Sequence, residues 1–567
     1  MNRKGRQILL MVVLLVLTGT FLGAGIYFIR HPLQFPERAE PRLIPEKPYQ
    51  TYEAAAPAEK VQEAEKAEEP PAAYSPAVVR NRFYTTRRAT VFTFSGLKNV
   101  TEINGVLDVL RNTGSSATFF VTTEELSENS DLVHAIKKAG HNLGLSIPPD
   151  AHTDARVLRE QLMEARDRLM NEFGEDGQIF VRMTYGTASP IVLDAAGACG
   201  LEVLSQVKEG VPQSITRLTS VEEALPLVVS ANEGKFQRGE IVHFQMGLIQ
   251  HNDFLLAGLL NALIETNCVY PVESAAKMAA DTGEMYQWPL PAEQILPEVR
   301  DRIHPGYLAG MSDEEIMGIV SKGYLGIDWV NSRRFLPGFE VSEIRKMDKR
   351  GLIPNEENKV FLTFDDWGTD GTVDRLLQVL DKHHATATFF VRTQYVPSNP
   401  NLLRAIARAG HTIGCHTHKH LKLSTEITAT SFEELTDVET ATLREDMVTS
   451  YATMQEIIGD LRDAGGKPSL SRLFRPPTLA VGKKGLTAVF DCGFTHSISG
   501  YYTSGDYKAE SAETLARQLK RNIRSGAVII MHFSDTAQYT AEALDIVLTE
   551  LEQEKKPFRF VGLNDVY

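Results

Sequence analysis

The chain has 567 residues, of which 43% are hydrophobic and 23% are charged, and its formal net charge is −14. This length predicts about two to four domains, and the composition excludes a wholly disordered or fibrous protein. The acidic balance argues against a nucleic-acid-binding protein, which needs a basic face for phosphate contacts. Four cysteines are too few for a disulfide scaffold or a multi-cysteine zinc module.

Residues 8–29 carry no charge over 22 positions, which is long enough for a helix to cross a hydrocarbon core of about 30 Å. Arg3, Lys4 and Arg6 precede this stretch, so the positive-inside rule leaves the N-terminus in the cytoplasm and the rest of the chain outside. The apolar region of a cleaved signal peptide is usually about 7–15 residues long. Residues 1–30 are therefore interpreted as a transmembrane signal anchor, and cleavage to a secreted protein is the alternative.

A change in composition follows the apolar stretch. Residues 31–80 contain nine Pro, ten Ala and nine Glu. Such a segment buries too little apolar surface to offset the entropy lost on ordering. We therefore predict that residues 31–84 form a disordered spacer that holds the folded part away from the membrane.

An internal repeat covers most of the remaining chain. Residues 90–150 match residues 360–420 without a gap, with 19 of 61 positions identical. A second block follows, in which residues 197–205 match residues 490–498. The chain is thus predicted to contain two copies of one domain. The predicted boundaries are 85–280 for the first copy, 281–350 for a connecting segment with a helix at 341–351, and 351–567 for the second copy.

Each copy alternates strand-like runs with helical runs. In the second copy a strand at 359–364 precedes a helix at 372–383, and a strand at 386–391 precedes a helix at 401–410. A further strand-like run ends at His416. This βαβαβ order predicts an α/β fold with parallel strands and helices outside, as an open sheet or an incomplete barrel.

Metal-ligating side chains follow two of these strands. Asp365 and Asp366 come directly after the strand 359–364, at the sheet edge where α/β folds build their sites. His416 and His420 are four residues apart and share a face if this stretch forms a helical turn. Two imidazoles and one carboxylate would make a three-ligand metal site with an open position for water. A solvated turn and a surface histidine cluster are the alternatives.

Two further motifs occupy equivalent positions later in the chain. Phe474-Arg475-Pro476-Pro477 is one of them, and the apolar strand 527–532, which ends in His532, is the other. A histidine at this sheet edge can act as a general acid or base. The four motifs together form an ordered set, and each lies at the carboxyl end of a strand.

With these motifs in place, the second copy resembles the polysaccharide deacetylases of carbohydrate esterase family four, the NodB-homology domain. TFDD at 363–366, HTHKH at 416–420, FRPP at 474–477 and the strand ending in His532 are similar to four of the five family motifs, in the same order. The resemblance implies two tandem distorted (β/α) barrels. It also implies N-deacetylation of a polysaccharide that depends on a divalent metal, with Zn²⁺ as the expected ion.

The resemblance further implies a role for seven residues at the strand ends. The implied roles are metal ligands for Asp366, His416 and His420; catalytic base for Asp365, oriented by Arg475; general acid for His532; and oxyanion donor, through its backbone N–H, for Thr478. These residue types suit amide hydrolysis, which needs an activated water, a stabilised oxyanion and a proton for the leaving amine.

The second copy departs from the family pattern at three places. Thr478-Leu479 replaces Tyr-Gly, and Trp367-Gly368 replaces Gly-Pro. In the fourth motif Asp506-Tyr507 stands for Asp-Trp, but the Asp that usually pairs with the arginine is missing. These departures affect the predicted sugar site more than the predicted reaction.

The first copy lacks the same side chains. Its replacements for Asp365, Asp366, His416 and His420 are Ser95, Gly96, Ser146 and Asp150. Arg182 matches Arg475, and Gln245 matches His532, although a shift of two residues would align His243 instead. No base is evident for Ser95 as a nucleophile. The first copy is interpreted as an inactive paralogue that serves scaffolding, dimerisation or glycan contact, binds no metal and packs against the second.

The sequence therefore predicts a membrane-tethered enzyme that removes N-acetyl groups from N-acetylhexosamine units of a cell-envelope or extracellular polysaccharide. Its predicted partners are that polysaccharide and the membrane, with no nucleic acid, and a homodimer is left open. A small-molecule amide hydrolase on the same barrel is one alternative function. A non-catalytic glycan-binding scaffold of the envelope is the other.

Overall fold

The computed structural model describes residues 75–149, 154–205, 207–232, 234–327, 334–428 and 430–567. The predicted anchor and most of the predicted spacer lie outside these residues, as does Asp150. Within the described part of the chain, no helix combines the length and the apolar character that a membrane span requires.

A nine-stranded sheet forms the centre of the first domain. Its strands are β1 Val79–Arg80, β2 Thr90–Ser95, β3 Thr118–Val121, β4 Asn142–Ile147, β5 Phe180–Met183, β6 Glu202–Leu204, β7 Lys208–Glu209, β8 Ile241–Gln245 and β9 Val272–Glu273. They pair in the order β1-β6-β5-β4-β3-β2-β8-β7, with β9 added to β2, and every pair is parallel. Because β1 pairs with β6, the folded part begins before residue 85, where the sequence analysis ended the spacer.

Helices of the first domain cover its sheet with apolar stripes. In the helix that follows β2, Ile103, Val106 and Leu110 recur at helical spacing and are buried, and Asn99 caps the first turn. The helices described in this domain are α1 Val100–Asn112, α2 Thr123–Glu128, α3 Ser130–Lys138, α4 Ala155–Asn171, α5 Pro190–Ala198, α6 Val221–Ala231, α7 Leu255–Glu265 and α8 Ala275–Ala280.

The second domain repeats the sheet of the first. Its strands are β10 Tyr324–Leu325, β11 Lys359–Asp366, β12 Thr388–Val391, β13 Thr412–Cys415, β16 Leu470–Phe474, β17 His496–Ile498, β18 Tyr502–Thr503, β19 Val528–His532 and β20 Arg559–Phe560, and a separate hairpin comprises β14 Thr425–Thr428 and β15 Ser431–Glu433. The sheet order is β10-β17-β16-β13-β12-β11-β19-β18, with β20 added to β11. This order matches the first sheet strand for strand, and the two parallel sheets fit the predicted tandem barrels.

Helices of the second domain confirm the predicted alternation. The predicted helices at 372–383 and 401–410 correspond to α11 and α12, and α12 buries Leu403, Ile406 and Ala407 on one side. The helices described here are α9 Asp313–Gly323, α10 Val341–Ile344, α11 Asp370–Lys382, α12 Pro400–Arg408, α13 Asp437–Ile458, α14 Lys483–Asp491, α15 Ala512–Asn522 and α16 Thr540–Gln553.

The connecting segment, residues 281–350, is part of the second domain. It contributes β10 and α9, and Val299 and Val320 lie in the same hydrophobic core as the second sheet. The helix predicted at 341–351 is wrong beyond Ile344. The Asp348 carboxylate accepts hydrogen bonds from the backbone N–H groups of Gly326, at 3.2 Å, and Gly351, at 2.8 Å, and these bonds turn the chain toward β11.

A buried polar interface joins the two domains, as the sequence analysis predicted for the first copy. Arg238 of the first domain is 2% exposed and donates to Asp370 and Asp374 of α11, each at 2.5 Å. Asn401 of α12 accepts a hydrogen bond from the backbone N–H of Thr85 at 3.0 Å. The Arg238 contacts tie the first domain to the helix that follows Asp365 and Asp366, and the Asn401 contact ties it to the next helix.

Candidate active site

The predicted site residues of the second domain converge on one edge of its sheet. Asp365 and Asp366 end β11, His416 follows β13, Arg475 follows β16, and His532 ends β19. Because β11, β12, β13, β16 and β19 are parallel neighbours, their carboxyl ends lie at the same edge. The structure thus brings together side chains that are up to 167 residues apart in the sequence.

Three side chains form a cluster with the composition of a metal site. Asp366 Oδ1 lies 3.6 Å from His420 Nε2 and 3.8 Å from His416 Nε2. His416 Nδ1 lies 2.9 Å from the carbonyl oxygen of Arg475, which accepts its proton and leaves the Nε2 lone pair directed at Asp366. Burial lowers the pKa of His416 to about 3 and also lowers that of His420, so both imidazoles are neutral at pH 7. One carboxylate and two neutral imidazoles fit a divalent ion.

The loop after β13 is not the predicted helical turn. Thr417 and His420 have left-handed φ angles of 63° and 62°, which a helical turn does not contain. The Asp446 carboxylate accepts hydrogen bonds from the backbone N–H of His418 at 2.6 Å and of the next residue at 3.0 Å. This carboxylate shapes the loop so that His420 returns to the site, whereas the His418 ring contacts Thr393.

A buried ion pair holds the predicted base. Arg475 is fully buried, and its Nη1 donates to Asp365 Oδ1 at 2.8 Å and to Thr363 Oγ1 at 2.7 Å. Its Nε donates to the carbonyl of Ile498 at 3.0 Å, while Nη2 has no partner among the described residues. The unpaired Nη2 agrees with the missing Asp of the fourth motif. Burial raises the pKa of Asp365, and the Arg475 guanidinium opposes that rise.

A second carboxylate–cation pair holds the predicted acid. His532 Nδ1 lies 2.7 Å from Asp506 Oδ1, and Asp506 Oδ2 accepts the backbone N–H of His532 at 2.7 Å. Burial alone lowers the pKa of His532, but the hydrogen bond and charge of Asp506, with the charges of Asp365 and Asp366, raise it to about 9. The ring of Tyr507 stands edge-on to the imidazole, with centroids 5.1 Å apart. Asp506-Tyr507 therefore occupies the place that the sequence analysis assigned to it.

Thr478 lies in the turn after β16, and its side chain is exposed. Its φ is 61°, and the next residue, Leu479, has a φ of 65°. The turn is closed by a hydrogen bond from the N–H of Leu479 to the carbonyl of Pro476 at 3.0 Å. Two consecutive non-glycine residues in the left-handed region mark a backbone held in an uncommon conformation, which is frequent at functional sites.

Two residues that support the site, Thr363 and Asp446, received no role from the sequence. Thr363 accepts a hydrogen bond from Arg475, and Asp446 holds the loop after β13. Thr363 is two residues before Asp365 on the same strand, so the two side chains share a face, and this period could have pointed to it. Asp446 lies within α13 and belongs to no motif, so the sequence carries no signal for its contact with the loop after β13.

The matching edge of the first domain holds different side chains. Ser95 lies opposite Gln245 in the pairing of β2 with β8, just as Asp365 lies opposite His532 in the pairing of β11 with β19. This register confirms the alignment of Gln245, rather than a shifted one, with His532. Asp150 lies outside the described residues, so the expectation that this domain binds no metal stays a prediction.

The expectation that Ser95 has no neighbouring base is wrong. His243 Nε2 lies 2.9 Å from Ser95 Oγ, and the hydroxyl donates to Gln245 Oε1 at 2.6 Å. The Ser95 hydroxyl gives its proton to Gln245, so the proton in the hydrogen bond between Ser95 and His243 belongs to His243 Nε2. A protonated Nε2 cannot accept the Ser95 proton, as a general base would have to. Thr93 Oγ1, not a carboxylate, contacts His243 Nδ1 at 3.0 Å. The arrangement therefore lacks the features of an activated nucleophile.

Comparison with known proteins agrees with this geometry. Residues 84–204 and 353–497 match the model of the polysaccharide deacetylase family, one region in each domain. The peptidoglycan-N-acetylglucosamine deacetylase PgdA of Listeria monocytogenes is 25% identical over 237 residues, which are 42% of this chain and 43% of the relative. The chain thus spans less than half the length of that relative.

Two further proteins are similar over a single domain. A peptidoglycan-N-acetylglucosamine deacetylase of Bacillus cereus is 27% identical over 224 residues, which are 38% of this chain and 90% of the relative. The crystal structure of the Bc1960 peptidoglycan N-acetylglucosamine deacetylase, in complex with 4-naphthalen-1-yl-N-oxidanyl-benzamide, is 26% identical. It superposes with a TM-score of 0.31 over 38% of this chain and 90% of that chain.

Proposed function

We propose that residues 351–567 are a metal-dependent deacetylase that hydrolyses the N-acetyl groups of N-acetylhexosamine units in a polysaccharide. The observation that carries the proposal is the convergence of the three-ligand cluster with two carboxylate–cation pairs, Asp365–Arg475 and Asp506–His532. The family match and the two peptidoglycan deacetylase relatives support the same reaction class.

Asp366, His416 and His420 would hold the divalent ion, and Zn²⁺ is the proposed metal because imidazole and carboxylate ligands suit it. When bound, such an ion lowers the pKa of a water molecule and polarises the amide carbonyl. The carbonyl of Arg475 keeps His416 in the tautomer that ligation requires, and Asp446 holds the loop that carries His420.

Asp365 and His532 divide the proton transfers. The Asp365 carboxylate, whose ionised form the Arg475 guanidinium favours, accepts a proton from the attacking water as the oxygen bonds to the acetyl carbon. The backbone N–H of Thr478 is the proposed donor to the oxyanion. His532 is protonated at neutral pH, because its pKa is about 9, and gives its proton to the amine nitrogen as the carbon–nitrogen bond breaks. The products are acetate and an amino sugar.

Peptidoglycan is the proposed polysaccharide, because the relatives with the longest matches named above are peptidoglycan-N-acetylglucosamine deacetylases. Such a polymer is extracytoplasmic. We therefore propose that residues 8–29 anchor the chain in the membrane with both domains outside, and that the Pro-rich spacer gives them reach. Trp367 and Tyr507, which flank the catalytic pairs, are proposed to line the sugar site.

Replacing one ligand tests the assignment. His416→Ala removes a buried imidazole from the cluster and should abolish both stoichiometric metal binding and acetate release from acetylated peptidoglycan. The matched control is His384→Asn. His384 is exposed, and its φ of 49° lies in the left-handed region, which asparagine also adopts. Full metal content and normal turnover in His416→Ala would refute the assignment.

A further inference from the structure

The first domain contains a cavity of about 420 Å³ at the carboxyl edge of its sheet. Polar side chains of Arg182, Thr184, His243 and Gln245 line it, and Tyr185, which is 59% exposed, lies at its rim. Arg182 and Gln245 match Arg475 and His532, so the cavity occupies the position that the candidate active site has in the second domain.

Arg182 has lost the partner that Arg475 keeps. Arg475 donates to the Asp365 carboxylate, whereas the first domain has Ser95 at the position of Asp365, and the Ser95 hydroxyl donates to Gln245. The Nε of Arg182 is buried without a hydrogen-bond partner, and the guanidinium forms no ion pair with the described residues. Burial lowers the pKa of Arg182 to about 10, and the exposed Glu209 opposes this fall only through its charge at a distance. Arg182 therefore stays cationic at neutral pH.

Arg182 as a whole is partly exposed, but its buried Nε has lost its contact with water without gaining a hydrogen-bond partner, which costs free energy. A carboxylate on a bound molecule would offset this cost, because the planar guanidinium forms paired hydrogen bonds with a carboxylate. Lys208, which pairs with Glu240, and the exposed Glu209 also line the cavity, and the remaining polar groups supply neutral hydrogen-bonding atoms. His243 is neutral, because burial and the charge of Arg182 hold its pKa well below the usual range. A cavity of this size exceeds what acetate alone would fill.

We propose that this cavity binds a sugar that carries a carboxylate, with Arg182 as the anchor, and does not hydrolyse it. Tyr185 offers an aromatic face to the ring at the rim, and the hydroxyl and amide groups inside match sugar hydroxyls. The choice of a sugar rests on the proposed function, whereas the carboxylate site rests on Arg182 alone. The first domain would then hold an acidic unit of the polymer while the second acts on an acetylated one.

Calorimetric titration of the full chain in detergent tests the site without using turnover. N-acetylmuramic acid is the probe, and N-acetylglucosamine, which shares the ring and acetamide but lacks the carboxylate, is the matched ligand. We expect N-acetylmuramic acid to bind the wild type and Asp365→Asn with the same Kd, and N-acetylglucosamine to lack this binding component. Because acetate release is not the readout, failure of the proposed deacetylation leaves this result interpretable.

The variant that isolates the anchor is Arg182→Met. It should weaken binding of N-acetylmuramic acid by at least about tenfold, the usual effect of losing charged hydrogen bonds. Its Tm should not fall, because the lost guanidinium has no partner in the described residues. Arg182→Lys keeps the charge without the planar fork and should bind with intermediate affinity.

Three binding results would overturn the proposal. They are unchanged affinity in Arg182→Met, equal binding of the two sugars, and full competition by acetate at the same concentration. A fall in Tm for Arg182→Met with Arg182→Lys binding normally would also overturn it, because that pattern indicates a structural cation.

Discussion

Two carboxylates of the second domain each pair with a neighbouring cation, and the two pairs are proposed to serve opposite roles. Asp365 is the buried acceptor of Arg475, and this pairing keeps a carboxylate available as a base although burial raises its pKa. Asp506 is the buried acceptor of His532, and this pairing keeps an imidazolium available as an acid. The two pairings therefore favour the ionised carboxylate as the base and the imidazolium as the acid.

The pH dependence of kcat/KM should reveal the acid. His532 must be protonated to donate, so activity should hold below its pKa of about 9 and fall as pH rises through that value. Asp506→Asn removes the charge that raises this pKa. The alkaline limb should therefore move to lower pH, toward or below the usual histidine value of about 6.5.

The control for this shift is Glu510→Gln, which removes a nearby exposed carboxylate and should leave the alkaline limb in place. An Asp506→Asn variant with an unmoved alkaline limb would assign that limb to a group other than His532.

The motif residues were predictable because each lies at a strand end, where sequence order and sheet topology together determine position. The contacts that position these residues and set their tautomers were harder to predict. Asp446 contacts the loop after β13 from a helix, and the tautomer of His416 depends on the carbonyl of Arg475, 59 residues away. Such contacts depend on tertiary geometry, for which a single sequence carries no periodic signal.

At the scale of elements, Arg238 connects the first domain to α11 through two carboxylates. Arg238→Met leaves Asp370 buried without a cation and leaves Asp374 only Arg88, 3.3 Å away, and breaking a buried ion pair in this way typically costs about 3–5 kcal/mol. We expect a loss of that size in the free energy of unfolding, measured by denaturant titration. Arg375→Gln, at an exposed position of the same helix, should change it by less than about 0.5 kcal/mol.

A stability unchanged by Arg238→Met would mean that the two domains do not depend on this interface. Asp370 follows Asp366, a proposed metal ligand, by four residues, so acetate release by Arg238→Met reports whether the interface also positions the site.

Long periodic helices and strands were predictable, and short elements were not. α11 and α12 have clear apolar stripes, which agree with the predicted ranges. β1 and β10 are two residues each, too short for any alternation to be read, although each forms an edge of its sheet. The role of the connecting segment could not be predicted, because this segment joins the second sheet through β10, which is one of these short strands.

At the scale of the whole molecule, the two domains share one sheet order, but the first lacks the side chains proposed to carry the reaction in the second. The shared order of nine strands accounts for the repeat seen in the sequence. The first copy then contributes an interface, through Arg238, and a cavity, through Arg182. These are functions that a fold can retain after its catalytic groups have changed.

The proposed anchor gives a prediction for the whole chain in cells. The full-length protein should remain in the membrane fraction after alkaline carbonate extraction, and deletion of residues 1–30 should release it. Recovery of the untruncated gene product from the soluble fraction, with an N-terminus beyond residue 25, would instead indicate a cleaved signal peptide.

The most direct test of the catalytic assignment is acetate release from acetylated peptidoglycan by metal-loaded wild type and metal-loaded Asp365→Asn. Asparagine is nearly isosteric but cannot accept the proton, and Asp365 is not among the three clustered ligands. We predict equal metal content in the two proteins and a rate for Asp365→Asn that is lower by about 10²–10⁴-fold. A near-normal rate in Asp365→Asn at full metal content would contradict the account.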